Sequence, residues 1–290
     1  AAAALLESAD DIRLSHELVT IRSNIAVELD LDQLRVRDPD RDRLRELFLD
    51  LEFTSLVRDF VPTEEEAGQE YPRNYQTVSD VAQVAELAAR ARRHGFVALA
   101  SESSASTPLR GSLVGMSLAF EPGEAYYLPF GHRSAGLGLD DPQMQNLPAL
   151  DQESMQPLVA MLEDDAIKKI GHNLKADLLA LRRAGVELRG LEFDTMIASY
   201  VLDPGRRDHD VDSLALSMFD MRTTTLDELC GKGKERIALA ECAVDRVREY
   251  ASEDVDVALR LAQRFRPQLK ELALAPLYQN IELPLIDVLA

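Results

Sequence analysis

The pattern of apolar and polar positions changes period twice along the chain. Ser15 to Arg22 has helical spacing, and Leu29-Asp30-Leu31-Asp32 is a polar break before Leu34. Asp38-Pro39-Asp40 is a helix-start signal, followed by Leu44, Leu47, Phe48 and Leu51 at spacings of three and four. Residues 61–73 are polar, acidic and flanked by prolines, the composition of an inter-domain linker. Strand-like periods begin after it. Tyr75–Ser79 reads as a short strand. Asp80 is a good N-cap for a helix carrying Val81, Val84, Leu87, Ala88 and Ala91, which Gly95 stops.

Phe96–Glu102, Ser112–Phe120 and Ala125–Pro129 read as three further strands, with Glu121-Pro122-Gly123-Glu124 as a hairpin turn. Residues 133–150 read as a loop. From residue 152 the pattern is helical, interrupted by one short extended piece, Ile167–Gly171. Strands first and helices later, with a helix between the early strands, predict an α/β fold. Its sheet is mixed and flanked by helices, and a small, mainly helical segment precedes it.

At 290 residues the chain is long enough for one or two domains with a full core. No apolar run is long enough for a membrane span. The N-terminus lacks a basic region and meets Glu7, Asp10 and Asp11 at once, so it does not read as a signal peptide. The absence of an initial Met points to a processed or excised fragment. Cys230 and Cys242 are too few and too far apart in sequence for a redox or zinc motif, and reduced cytoplasmic thiols are expected. A net charge of −19 argues against broad non-specific nucleic-acid binding through Lys and Arg. It leaves room for an enzyme whose metal ions offset phosphate charge.

The candidate chemistry is carboxylate chemistry. Residues two apart on a strand face the same way, so position 100 and Glu102 share one face and Leu99 and Ser101 the other. A D-x-E pair there would aim two carboxylates into one cleft; this chain has Ala100-Ser101-Glu102. Gly171-His172-Asn173-Leu174-Lys175-Ala176-Asp177 precedes an apolar helix, and Asp177 near a helix start also suits the helix dipole. Tyr250 and Asp254, four apart, lie on one face of a helix. Each signal alone is also what an ordinary solvated acidic surface gives. His16, His94 and His132 read as surface or capping residues, and His209 as structural. Gly231-Lys232-Gly233-Lys234 is too short for a P-loop and reads as a flexible basic turn.

Taken together these segments resemble the 3′–5′ proofreading exonuclease domain of bacterial DNA polymerase I, within the DnaQ-like, ribonuclease-H-like superfamily. Gly171–Asp177, Val186–Gly190, Phe193-Asp194-Thr195-Met196, His209–Leu214, Gly231–Lys234, Tyr250–Asp256 and Asn280–Leu285 carry the resemblance. It covers nearly the whole chain. It implies the end of a 5′-nuclease domain over 1–60, with Leu18–Arg22 as its best marker, and a linker over 61–73. It also implies an exonuclease-like domain over 74–276 and the start of a connection to a polymerase domain over 277–290.

The resemblance further implies two divalent ions, magnesium or manganese, held by four acidic residues. Glu102, Asp177 and Asp254 match three of them, and Ala100 stands where the acid shared by both ions belongs. Tyr250 matches the tyrosine that orients the attacking water, so Glu102, Tyr250, Asp254 and Asp177 are the expected catalytic set. Asn173, Lys175 and His172 lie where the bound strand passes, with Lys232 and Lys234 as further candidate DNA contacts. Leu226 replaces an aromatic residue that packs on the terminal nucleotides, and Ser106 stands where a leucine wedge is frequent.

The implied function is two-metal hydrolysis at a single-stranded DNA 3′ end within a DNA replication and repair polymerase, impaired here by Ala100. The protein is expected to be monomeric and cytoplasmic, with no membrane partner. The alternatives are a non-catalytic module that supports a polymerase domain or binds single strands, and an active exoribonuclease of the RNase D kind.

Overall fold

The computed structural model describes residues 8–26, 35–36, 38–51, 53, 56–57, 73–105, 110–133, 146–233 and 236–290. The chain divides into two units, residues 1–41 and 42–290. In the first, α1 spans Ala9–Val19 and has no buried residue. The helical spacing read from Ser15 stops at Val19, because Thr20 is already extended, with φ −74° and ψ 115°. The linker expected at 61–73 lies, apart from Arg73, outside the described residues.

The boundary falls at the first residue of α2 (Arg41–Asp50), whose start follows the Asp-Pro-Asp signal. The sheet of the second unit contains β1 (Asn74–Thr77), β2 (Phe96–Ser103), β3 (Leu113–Ala119), β4 (Glu124–Pro129), β5 (Lys168–Gly171) and β6 (Leu191–Asp194), in the order β1-β4-β3-β2-β5-β6. β3 runs antiparallel to both its neighbours, while β1–β4, β2–β5 and β5–β6 are parallel pairs. The mixed sheet expected from the element order is therefore present. β6 is a correction, since the sequence pattern gave one extended piece after residue 152. Its four residues, Leu-Glu-Phe-Asp, are too few to show a period.

Helices cover both faces. α3 (Val81–His94) begins where Asp80 accepts a hydrogen bond from Gln83 N, and it ends at Gly95, whose φ of 74° favours glycine. It packs on one face with α4 (Gln156–Leu162) and α5 (Leu174–Arg183), burying Val84, Leu87, Leu158, Leu178 and Leu181 against Val97, Leu99 and Leu118. The other face meets α6 (Thr195–Leu202), α7 (Val211–Phe219) and the long α9 (Val244–Glu271); the short α8 spans Leu226–Cys230. Beneath α9 the strands offer Ala98, Ala100, Ala119 and Ala125, small residues that let the helix lie close to the sheet. The stretch expected to begin a connection packs on the same core. Tyr278 is 1% exposed there, while α10 (Leu285–Leu289) buries Ile286 in the cluster on the opposite face.

One side-chain expectation, that for His132, is also corrected. His132 is buried, its Nε2 2.7 Å from the Tyr127 hydroxyl, because β4 brings that ring over the turn that follows it. Cys230 and Cys242, distant in sequence, lie with their sulfurs 3.7 Å apart. Among the described residues no helix is long and apolar enough to cross a membrane.

Candidate active site

The site forms where β2 outruns β5. Those strands pair from Phe96↔Lys168 only to Ala98↔Ile170, so the last residues of β2 present backbone groups that β5 does not reach. α5 fills the gap. Asp177, in its first turn and 5% exposed, accepts hydrogen bonds on one oxygen, Oδ1, from Ser101 N (2.7 Å) and Ser101 Oγ (2.6 Å). Ser101 does face away from Glu102, as strand parity predicts. It is nonetheless bonded to a site carboxylate.

Asp194 sets the approach of α5. Its buried carboxylate accepts from Asn173 N (3.2 Å), Leu174 N (2.7 Å), Met196 N (2.9 Å) and Ile197 N (3.2 Å), which joins the start of α5 to the start of α6. Asn173 is held in the left-handed region at φ 62° as the chain turns into α5. Tyr278 Oη accepts from Asp194 N at 2.7 Å and so ties this corner to the C-terminal segment.

Ala100 and Glu102 face α9. Ala100 packs with the cluster around Val255, and Glu102 is 9% exposed. Glu102 pairs across β3 with Gly115, where a Cβ would lie 2.0 Å from the Tyr127 hydroxyl. That glycine admits the Tyr127 ring beside Glu102. Burial raises the Tyr127 hydroxyl well above its ordinary value, and Glu102 raises it further. From α9, Tyr250 and Asp254 point to the same end of β2: the Tyr250 phenol is raised first by Asp254 and then by Glu102.

The carboxylates crowd one another. Burial pushes Glu102 up to about 7. Asp177 rises to about 8, mainly by burial, against the lowering effect of the Ser101 hydrogen bonds. Asp254 is raised well above the usual carboxylate range by burial, then by Glu102, Asp212, Glu253 and Asp177. Its Oδ1 is buried without a hydrogen-bond partner among the described residues. Such a field favours a cation. The spacing does not match: among the described residues no three His, Cys, Asp or Glu side chains are grouped to hold a metal ion. The residues present therefore do not fit a complete two-ion centre.

The structure thus gathers Glu102, Asp177, Tyr250 and Asp254 around the end of β2. Asn173 and Lys175 lie at the start of α5, partly exposed. His172 is turned inward, its Nδ1 2.9 Å from Thr195 Oγ1, and burial pushes it down to about 4. Leu226 opens α8 and packs against the cluster containing Tyr127 and Ala251. Lys232 is exposed, 3.7 Å from Asp227 Oδ2. Lys234 and Ser106 lie outside the described residues.

The sequence reading missed Asp212, Tyr127 and His132 as neighbours of the site, and Ser101 as a partner of Asp177. Asp212 belongs to the His209–Leu214 motif, and Thr223 Oγ1 donates to it at 2.7 Å. The flanking acids of the Tyr250 motif are structural. Glu253 accepts from Arg73 Nη1 and Thr224 N, and Asp256 accepts from Tyr75 Oη and Gly123 N.

A helix-flanked mixed sheet with acids and a tyrosine gathered at the end of a central strand defines a ribonuclease-H-like exonuclease fold. The chain belongs to the 3′–5′ exonuclease family of DNA polymerase I, whose family model matches residues 75–270. DNA polymerase I of Pseudomonas aeruginosa is 32% identical over 299 aligned positions, gaps included, that cover 99% of this chain and 32% of that protein. DNA polymerase I of Chloroflexus aurantiacus is 31% identical over 98% of this chain and 33% of that protein. The chain spans about a third of the length of these curated relatives. Escherichia coli RNase D, an exoribonuclease involved in structured RNA processing, superposes with a TM-score of 0.52 at 19% identity, over 74% of this chain and 49% of that one. At that identity the likeness is one of fold.

Proposed function

We propose that this chain is the exonuclease-like region of a DNA polymerase I in which 3′-end hydrolysis is disabled. The observation that carries this reading is Ala100 on the α9 face of β2, in line with Glu102 and beneath the helix that brings Asp254. An aspartate there would complete a D-x-E pair. Glu102, Asp177, Tyr250 and Asp254 are then the surviving members of a site for magnesium or manganese. When bound, such ions activate water and stabilise the leaving oxygen. The protein's own residues retain their positioning role: Asp177 is fixed by Ser101, and Tyr250 stays a neutral phenol beside Asp254.

The partner in this reading is a single-stranded DNA 3′ end lying across Asn173, Lys175 and His172, with Leu226 and Lys232 at its margin and Lys234 as a further candidate contact from the sequence. A polymerase domain in the full-length protein supplies the duplex, and residues 1–60 belong to a 5′-nuclease domain. The complete core beneath the incomplete site supports a supporting role for the fold beside a polymerase domain.

The test is digestion of a 5′-labelled single-stranded DNA with magnesium or manganese, by the chain and by its Ala100→Asp variant. The variant should cleave at least on the order of a hundredfold faster, the scale on which loss of one preorganised electrostatic group is felt. Equal rates from the unaltered chain would overturn the reading. Cleavage of RNA in preference to DNA by the unaltered chain would favour the RNase D alternative.

A further inference from the structure

Cys230 closes α8 and Cys242 precedes α9, twelve positions later. Both are free and buried, each 3% exposed. They pack with Leu229, Leu239, Val247 and Ala251, and their sulfurs lie 3.7 Å apart. A buried cysteine usually serves as a small apolar side chain. That role needs no second cysteine in contact with it. Here the chain's only two cysteines meet, and roughly 1.7 Å separates this contact from an S–S bond of about 2.0 Å.

The pair also encloses a defined segment. Residues 231–241 leave α8 at Cys230 and return to α9 at Cys242, carrying Lys232 and Gly233. The same apolar cluster includes Tyr127, and Tyr250 packs against it. The cysteines therefore sit behind the site, and neither bonds to its carboxylates.

We propose that Cys230 and Cys242 form a reversible intramolecular disulfide, a redox modification site that ties the segment bearing Lys232 to the start of α9. The oxidant is a peroxide. The first sulfur attacks the O–O bond of hydrogen peroxide and becomes a sulfenic acid, releasing one water. The second thiol then attacks that sulfur and loses its proton; the S–S bond forms and a second water leaves. The two sulfurs give up two electrons, and one peroxide becomes two waters. Burial and the neighbouring Cys230 sulfur push the Cys242 thiol up to about 11, so it rests as a neutral thiol and the pair reacts slowly.

The experiment treats the whole chain with hydrogen peroxide, quenches it, and measures intact mass, free thiols and the non-reducing peptide map. A loss of about 2 Da, with both thiols gone and a cross-linked peptide joining Cys230 to Cys242, is the expected result. Dithiothreitol should reverse it, and the oxidised chain should melt a few degrees higher, as expected for a newly closed loop. Cys230→Ser and Cys242→Ser variants, checked for folding by circular dichroism, should show neither the loss nor the stabilisation. Two thiols still free after peroxide treatment would overturn the proposal. So would oxidation that stops at separate sulfinic acids, or cross-links found only between chains.

Discussion

Ser101 holds Asp177 by two hydrogen bonds to the same oxygen, one from its backbone N–H at 2.7 Å and one from its hydroxyl at 2.6 Å. The backbone donor exists because β5 stops short of it, and the hydroxyl adds a second donor to a carboxylate already removed from water. Ser101→Ala deletes the hydroxyl and leaves the N–H. The expected cost is about 1–2 kcal/mol, since the acceptor is a buried acid left with one partner fewer. Urea denaturation of the two proteins checks this. A double-mutant cycle with Asp177→Ala, which removes the acceptor, assigns the cost to the pair, and a coupling of zero would refute it.

His172 gives the chain an acid-side weakness. Its Nδ1 lies 2.9 Å from Thr195 Oγ1, and the imidazole is held neutral in its pocket by burial. Burial lowers the folded value to about 4 from an ordinary 6.5. Between those values the unfolded chain binds the proton and the folded chain does not. Stability is therefore fully present above about pH 6.5 and is lost as pH falls toward 4, by on the order of 2 kcal/mol. In His172→Asn that part of the acid-side slope should disappear. Denaturant midpoints at pH 7, 5.5 and 4.5 measure it, and parallel curves for the two proteins would show that the histidine is not responsible.

The sequence made the alternation of β2 and the four-residue spacing of Tyr250 and Asp254 readable, because both follow from the geometry of a single element. What crosses between elements was not readable. Ser101 faces away from Glu102 as parity requires, but only the fold brings α5 and Asp177 to that opposite face. His132 stands in a Gly-His-Arg turn of loop composition, and its burial comes from the Tyr127 ring of the preceding strand. Asp194 was visible as part of a motif. That its carboxylate gathers four N–H groups from two helix starts depends on β6 ending beside β5, a pairing that four residues of sequence do not announce.

Gly115 is required by size, since a Cβ there would lie 2.0 Å from the Tyr127 hydroxyl and 2.3 Å from its ring carbon Cζ. Tyr127 is fully buried and bonded to His132, so its ring cannot simply swing into solvent. Gly115→Ala should cost about 1–3 kcal/mol, the range for overpacking a closed core. It should also free the Tyr127–His132 contact, seen as a shifted imidazole resonance in NMR titration. A stability within a few tenths of a kcal/mol of the unaltered chain would mean the ring has room that the structure does not show.

Ala100→Asp should act in opposite directions with and without a divalent cation. The new carboxylate would join Glu102 on the face beneath α9, where burial already raises Glu102, and burial and the neighbouring acids raise Asp254. A further acid in that field is unfavourable by itself, so the variant should melt below the unaltered chain in the presence of a chelator. With manganese the added acid becomes a ligand. Binding at a hundred times the dissociation constant adds about 2.7 kcal/mol, so the melting temperature of the variant should rise by several degrees. The unaltered chain, whose described carboxylates are not grouped to hold an ion, should change little over the same range. Scanning calorimetry of both proteins with chelator and with millimolar manganese reads this without any nuclease assay. An equal rise in both proteins would show that Glu102, Asp177 and Asp254 hold the ion without an acid at position 100.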